Sequence, residues 1–199
     1  MTPILILAAG LSSRMRGRDK LAETVDGVPL LTRIAGAAVA SGEPVHVALP
    51  ALDHPRARLL DGLDVVRLVL PGSADGMGGT LRDGVKALPE AARLLVLLAD
   101  LPLIGPDEIA AVLAAPSAAP HALIWRGAAA DGTPGHPILF DGSLRPGFAR
   151  LGGDDGAKAV VAAHRDRTHL VPLPGRAATL DLDTPEAWAA FRSGSAPET

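Results

Sequence analysis

The sequence predicts an α/β fold of three layers, with a mostly parallel sheet between two layers of helices. Three observations carry this. Strand-like and helix-like segments alternate from the first residues onward. The most apolar runs, Ile4-Leu5-Ile6-Leu7 and Leu94–Leu98, show no polar alternation, as expected of strands buried on both faces. Each run stops at small residues or at an Asp-Leu-Pro turn, which places loops above the carboxyl edge of the sheet.

In chain order, Ile4–Ala8 is the first expected strand. Pro29–Ser41 is a helix, with Pro29 near its first turn and Gly42 as its stop. Val45–Leu49 and Val65–Leu70 are the second and third strands, ended by Pro50 and by Pro71-Gly72. The glycine-rich stretch Gly72–Gly79 leads into a helix from about Thr80 to Leu88. Leu94–Leu98 is the fourth strand. Gly105-Pro106-Asp107-Glu108 starts a helix, with proline and two acids in its first turn. Ala122–Trp125 is a fifth strand, and Gly127–Gly135 a loop. Pro137–Phe140 is a short, antiparallel strand, Ala157–His164 a helix and Thr168–Pro172 a strand. Pro185–Arg192 is the last helix, capped by Thr184. The pattern reads as one domain over residues 1–192, with a flexible polar tail over 193–199.

Composition narrows the function. Hydrophobic residues make up 48% of 199, enough for a sizeable core, while aromatics are only 3%. So few rings argue against a stacking platform for single-stranded nucleic acid, and a net charge of −3 argues against general polyanion binding. The absence of cysteine excludes thiolate catalysis and cysteine-based zinc sites. No apolar run approaches the ~20 residues of a membrane span, and no signal-peptide pattern opens the chain. The expectation is a soluble, cytoplasmic protein.

Five segments carry chemistry. In Ala8–Lys20, a basic loop follows the first strand, with Arg14, Arg16, Arg18 and Lys20. Small residues let a ligand approach the backbone, and the cations suit a phosphate chain. The loop fits neither the P-loop pattern nor GxGxxG, which weighs against a dehydrogenase. Asp75-Gly76-Met77-Gly78-Gly79-Thr80 precedes a helix whose N-terminus could meet a nucleotide. Taken alone, the motif reads more simply as an ordinary helix entry capped by Thr80. Asp100, just past the fourth strand, is placed to hold Mg²⁺ against phosphates. In Leu180-Asp181-Leu182-Asp183 the two acids share a side if the chain is extended, and one of them could be a second metal ligand. Last, His136 and Lys158 lie in the less regular half and would shape an acceptor pocket.

In this order, LAAGLSSRMRGRDK, DGMGGTL, LLADLPLI, GHPILF, LGGDDGAK and LDLDTPEAW resemble the motifs of the MobA-like nucleotidyltransferases, over about Ile4 to Trp188. The resemblance is closest to molybdenum-cofactor cytidylyltransferases. It implies a Rossmann-like sheet and transfer of a nucleotide from an NTP, with Mg²⁺ as cofactor, to a phosphorylated acceptor such as molybdopterin, with release of pyrophosphate. A molybdoenzyme apoprotein is an implied partner; nucleic acid and membrane are not. Leu7, Ala8, Ala9, Gly10, Arg14, Lys20, Gly76, Gly78, Gly79 and Thr80 would bind the nucleotide. Lys20, Arg14 and Asp100 would be catalytic, Asp100 and Asp183 would hold the metal, and His136 and Lys158 would face the acceptor. Ala8-Ala9-Gly10 leans to CTP. Arg16 stands where the family usually has Gly, the loop has the guanylyltransferase length, and Leu101 replaces a common Gln. A guanylyltransferase, a sugar-phosphate nucleotidyltransferase or a non-catalytic maturation factor are therefore the alternatives.

Overall fold

The first strand sits at the centre of the molecule because nothing in it needs water. In the computed structural model, which describes residues 1–194, Ile4, Leu5 and Ile6 of β1 (Ile4–Leu7) are completely buried. Each such side chain contributes about 1.5–3 kcal/mol of transfer free energy. β1 pairs in parallel with β4 (Val45–Leu49) on one side and β6 (Arg93–Leu98) on the other. The full sheet has seven strands in the order β5-β4-β1-β6-β8-β7-β9. Here β5 is Val66–Val69, β7 Ile124–Ala128, β8 Pro134–Asp141 and β9 Thr168–Pro172. β8 runs antiparallel to both its neighbours, as expected of the Pro137–Phe140 segment, and β9 returns parallel to β7.

Helices cover both faces. Ile4 and Ile6 point into a core with α1 (Leu30–Val39), α3 (Pro106–Ala118) and Trp188 of α6 (Pro185–Arg192). Leu5 joins the opposite core with α2 (Gly76–Ala87), the short α4 (Arg145–Phe148) and α5 (Lys158–Ala163). Phe140 and Phe148 close that second core edge to face, 5.1 Å apart. Alternate residues of one strand thus feed two cores, which is the three-layer arrangement the sequence predicts.

Local departures have local causes. A two-stranded hairpin of β2 (Thr24–Val25) and β3 (Val28–Pro29) precedes α1. Its turn is Asp26-Gly27, both at positive φ, a tight-turn signal that the reading of a helix from Pro29 passes over. α2 begins at Gly76, not Thr80. The glycines form its first turn because other backbone packs where side chains would stand: Gly152 against Gly78 and Gly72 against Gly79. That close approach outweighs the poor helix propensity of glycine. β7 runs on to Ala128, so the expected loop shortens to a turn between β7 and β8. The expected tail falls, from residue 195 onward, outside the described residues.

Candidate active site

The loop after β1 is held by one buried side chain. Arg56 lies in a 3-10 segment, Pro55–Leu60, and is 2% exposed. Its guanidinium donates to the carbonyls of Ala8 (2.5 Å) and Gly10 (2.7 Å) and to Ser12 Oγ (2.9 Å). It also grips Asp19 with two bonds of 2.7 and 2.8 Å. One cation therefore ties the loop at residues 8, 10, 12 and 19. Burial raises the Asp19 carboxyl, but Arg56, the Leu21 amide and Ser12 outweigh it and hold it below the usual carboxylate range. A trans peptide unit points its N–H opposite to its carbonyl. With the Ala8 and Gly10 carbonyls turned to Arg56, the Ala9 and Leu11 amides face away from it. Among the described residues, neither amide donates to another part of the chain.

Asp19 leads directly into Lys20. Lys20 Nζ lies 2.5 Å from Asp100 Oδ2 and 2.7 Å from Asp183 Oδ1. Asp100 is there because β6 pairs residue for residue with β1, Leu7 opposite Leu98, so both loops leave the same edge. Asp183 arrives on the extended Leu180–Asp183 segment. Leu180 and Leu182 are buried, which turns Asp181 and Asp183 to the other side, as their alternation predicts. Trp188 Nε1 donates to the Leu182 carbonyl, and Thr184 caps α6 by accepting from the Ala187 amide. Arg14 completes the group, 2.5 Å from Asp183, with its side chain 70% exposed.

The electrostatics follow from this packing. Burial disfavours the Lys20 ammonium, but Asp100 and Asp183 overcome that and raise its pKa. Burial also opposes the charge on Asp183, yet Lys20, Asp181 and Arg14 pull its pKa down. Asp181 moves the other way, raised by burial and by its neighbour Asp183. Oxygens of Asp100, Asp181 and Asp183 all lie within 4.8 Å of one another. Asp100 Oδ1 is buried with no hydrogen-bond partner. An all-oxygen set with one orphaned acceptor fits a hard divalent cation such as Mg²⁺ or Mn²⁺.

Two cavities open at this edge. The first, about 1040 Å³, is lined by Leu7, Ala8, Ala9, Gly10, Lys20 and Asp100, with Gly76 and Thr80 across from them. The second, about 830 Å³, contains His136 and Lys158. Leu7, Met77 and Asp154 line both. The shared wall forms because the Gly152–Asp154 turn packs on the start of α2, with the Gly78 amide donating to the Gly153 carbonyl at 2.7 Å.

Most residues singled out from sequence converge here. Of those expected to bind the nucleotide, three do not line the first cavity, and two of these, Gly78 and Gly79, are buried in the packing of α2. Thr80 lines the cavity, but its hydroxyl donates back to the Gly76 carbonyl, so it caps nothing. Arg14 lies outside the lining, at Asp183. His136 is desolvated and faces Arg126, which together push its pKa down to about 4 and leave it neutral near pH 7. Lys158 is 80% exposed at the rim of the second cavity and pairs loosely with Asp155. Sequence reasoning missed Arg56 entirely, since nothing in His54-Pro55-Arg56-Ala57 marks it. It reached Asp181 only as one of two acids.

Comparison with known proteins settles the family. The description of the MobA-like NTP transferase domain matches residues 4–168. The chain belongs to that family. A molybdenum cofactor guanylyltransferase of Bradyrhizobium sp. (strain ORS 278) is 34% identical over 140 residues, 69% of this chain and 64% of that protein. The bifunctional protein GlmU of Marinobacter nauticus is 35% identical over 114 residues, 56% of this chain. This match spans only 25% of the GlmU length. The crystal structure of Rv0371c from Mycobacterium tuberculosis H37Rv superposes with a TM-score of 0.74 at 27% identity, covering 98% of this chain and 97% of that one. A second Rv0371c structure, in complex with manganese, gives a TM-score of 0.71 at 25% identity, covering 96% of each chain. The fold is thus that of the family. No helix among the described residues is long and apolar enough to cross a membrane.

Proposed function

We propose that this MobA-like domain transfers a nucleotide from an NTP to a phosphorylated acceptor, with Mg²⁺ as cofactor. The observation that carries the reading is the meeting of Lys20 with Asp100 and Asp183 at the rim of the first cavity. An acceptor phosphate oxygen attacks the α-phosphorus of the NTP. The bond from that phosphorus to the bridging oxygen breaks, and pyrophosphate leaves with the electron pair. The acceptor phosphate is already anionic, so no strong general base is needed, which agrees with a neutral His136. Rate then comes from positioning and charge neutralisation. The Ala9 and Leu11 amides bind phosphate oxygens, and Arg14 and Lys20 offset charge on the reacting and leaving groups. Asp100 and Asp183 would hold Mg²⁺, with Asp181 as a third carboxylate beside them. Bound there, Mg²⁺ would supply further neutralisation of the phosphates. The manganese complex of the related Rv0371c supports a divalent metal.

The acceptor occupies the second cavity, beside His136 and Lys158. CTP is the favoured nucleotide on the resemblance of Ala8-Ala9-Gly10, and molybdopterin the favoured acceptor, with a molybdoenzyme apoprotein as the downstream partner. GTP is the second reading, favoured by the guanylyltransferase relative and by the length of the basic loop. Thermal stabilisation by each NTP with Mg²⁺ separates them, because a ligand that binds only the folded state raises stability by mass action. A CTP preference supports the first reading, a GTP preference the second. No stabilisation by any NTP contradicts both.

A further inference from the structure

The second cavity has an unusual chemistry. Its floor is apolar, built from Leu81, Val96, Ile138, Phe140 and Val161. Its cations are Arg126, Lys158 and Arg165. Arg126 is half-buried and donates only to carbonyls, Gly135 at 2.9 Å and Pro134 at 3.3 Å. Among the described residues no carboxylate pairs with it, so its charge meets carbonyl dipoles but no counter-charge, and burial lowers its pKa. Such a guanidinium suits an anion that arrives with a ligand.

The same cavity has few groups that read hydroxyls, His136 Nδ1, buried without a hydrogen-bond partner, being one. The chain contains neither Asn nor Gln. Thr168 supplies the one hydroxyl side chain in the lining, and it already donates to the His164 carbonyl at 2.9 Å. Of the two carboxylates, Asp155 engages Lys158, and Asp154 stands at the wall shared with the first cavity. A site selective for a hydroxyl-rich ligand needs convergent hydrogen-bonding groups, since discrimination comes from polar groups that would otherwise be unpaired.

We infer that the acceptor has an apolar or flat body and a second anionic group beyond the reacting phosphate, and that Arg126 binds this second group with help from Lys158 and Arg165. The inference rests on the second cavity being the acceptor site, and it narrows the acceptor class against the sugar-phosphate alternative. His136 belongs to this wall as a neutral, polar neighbour of Arg126.

Three probes test it on the full chain with Mg²⁺: 4-carboxyphenyl phosphate, phenyl phosphate and glucose 1-phosphate. Calorimetric titration should rank them in that order, the first binding at least about tenfold more tightly than the last. Arg126→Met should bring 4-carboxyphenyl phosphate down to the level of phenyl phosphate. Arg165→Glu, at an exposed position, should shrink the same gap, and it keeps the test intact if Arg126→Met fails to fold. Tighter or equal binding of glucose 1-phosphate overturns the inference, as does an unchanged gap in the folded charge variants. Titration of the wild-type chain with Mg²⁺ and NTP separates the two claims. If NTP binds and the probe order is reversed, the acceptor class falls and the nucleotidyltransferase reading stands. If the probe order holds and no NTP binds, the selectivity of the cavity stands and the reading falls.

Discussion

The first cavity is rich in small lining residues, Ala8, Ala9, Gly10, Ala74, Gly76 and Gly153, and the second in larger side chains, although they share Leu7, Met77 and Asp154. Around the first, one strand end, one loop and one helix start supply amides and small residues. Two carboxylate segments close it at Lys20. Around the second, α2, β6, β8 and α5 bring in an apolar floor, and β7, the start of α5 and the turn after it bring in three cations. Backbone amides bind phosphate whatever else the ligand carries, whereas side chains discriminate between ligand bodies. The contrast teaches where the generality and the specificity of this fold lie. The nucleotide-phosphate half is expected to tolerate little change, and the acceptor half to change its ligand with its side chains.

The largest expected effect breaks the first half alone. Lys20→Ala and Asp100→Ala should each lower pyrophosphate release by ~10²–10³-fold or more, since each removes a preorganised charge or its holder. A coupled pyrophosphate assay at saturating Mg²⁺ checks this, and near-wild-type turnover by either variant contradicts the assignment. Arg56→Met comes next. It leaves Asp19 without its buried partner, and losing one member of a buried pair costs about 3–5 kcal/mol. Denaturant unfolding should show that loss, and Asp19→Asn added to it should recover part. In the folded fraction, NTP affinity should fall while binding of the acceptor probes holds. Equal loss at both cavities would mean that Arg56 only supports the fold.

How much of this was legible in the sequence follows the same division. Ile4–Lys20 announces itself because an apolar run, small residues and cations are contiguous, Asp100 stands out just past the most apolar strand, and Asp181 and Asp183 stand out by alternation with leucines. The sheet, including its antiparallel strand, was readable for the same reason. Arg56 was not, since its function comes from burial against a loop more than forty positions away, which local pattern does not encode. Gly78 and Gly79 read as ligand contacts because glycine permits close approach in general, but what approaches them here is protein backbone. Arg126 stayed unnoticed, because an arginine in a strand gains its meaning only from the absence of a carboxylate nearby.

A pH measurement sharpens the second half. His136 titrates near 6.5 when unfolded and at about 4 in the fold. Between those values the unfolded chain holds the additional proton, so stability falls as pH drops from about 6.5 to 4. Asp19 and Asp183 are lowered in the fold, so their contribution is lost only as pH falls below about 3.8. Melting temperature against pH should therefore decline through two adjoining windows, and His136→Met should shrink the upper one to the part left by His46, which burial also lowers. An unchanged upper slope would place the titrating group elsewhere. The smallest effect belongs to Arg16. Its ion pair with Glu186 is 2.8 Å long but open to solvent on both sides, and its φ is 52°, in the left-handed region. Arg16→Gly loses a solvent-screened pair of little worth and relieves that backbone strain. Stability and NTP binding should both stay close to wild type. A large loss of nucleotide affinity would make Arg16 part of the phosphate site.

The most direct measurement is NTP titration with and without Mg²⁺, on the wild-type chain and on Asp100→Asn. If the basic loop and the carboxylates form one site, Mg²⁺ strengthens NTP binding to the wild-type chain, and Asp100→Asn abolishes that enhancement while binding at the loop persists. Binding of equal strength with and without Mg²⁺ in the wild-type chain, or no NTP binding at all, contradicts it.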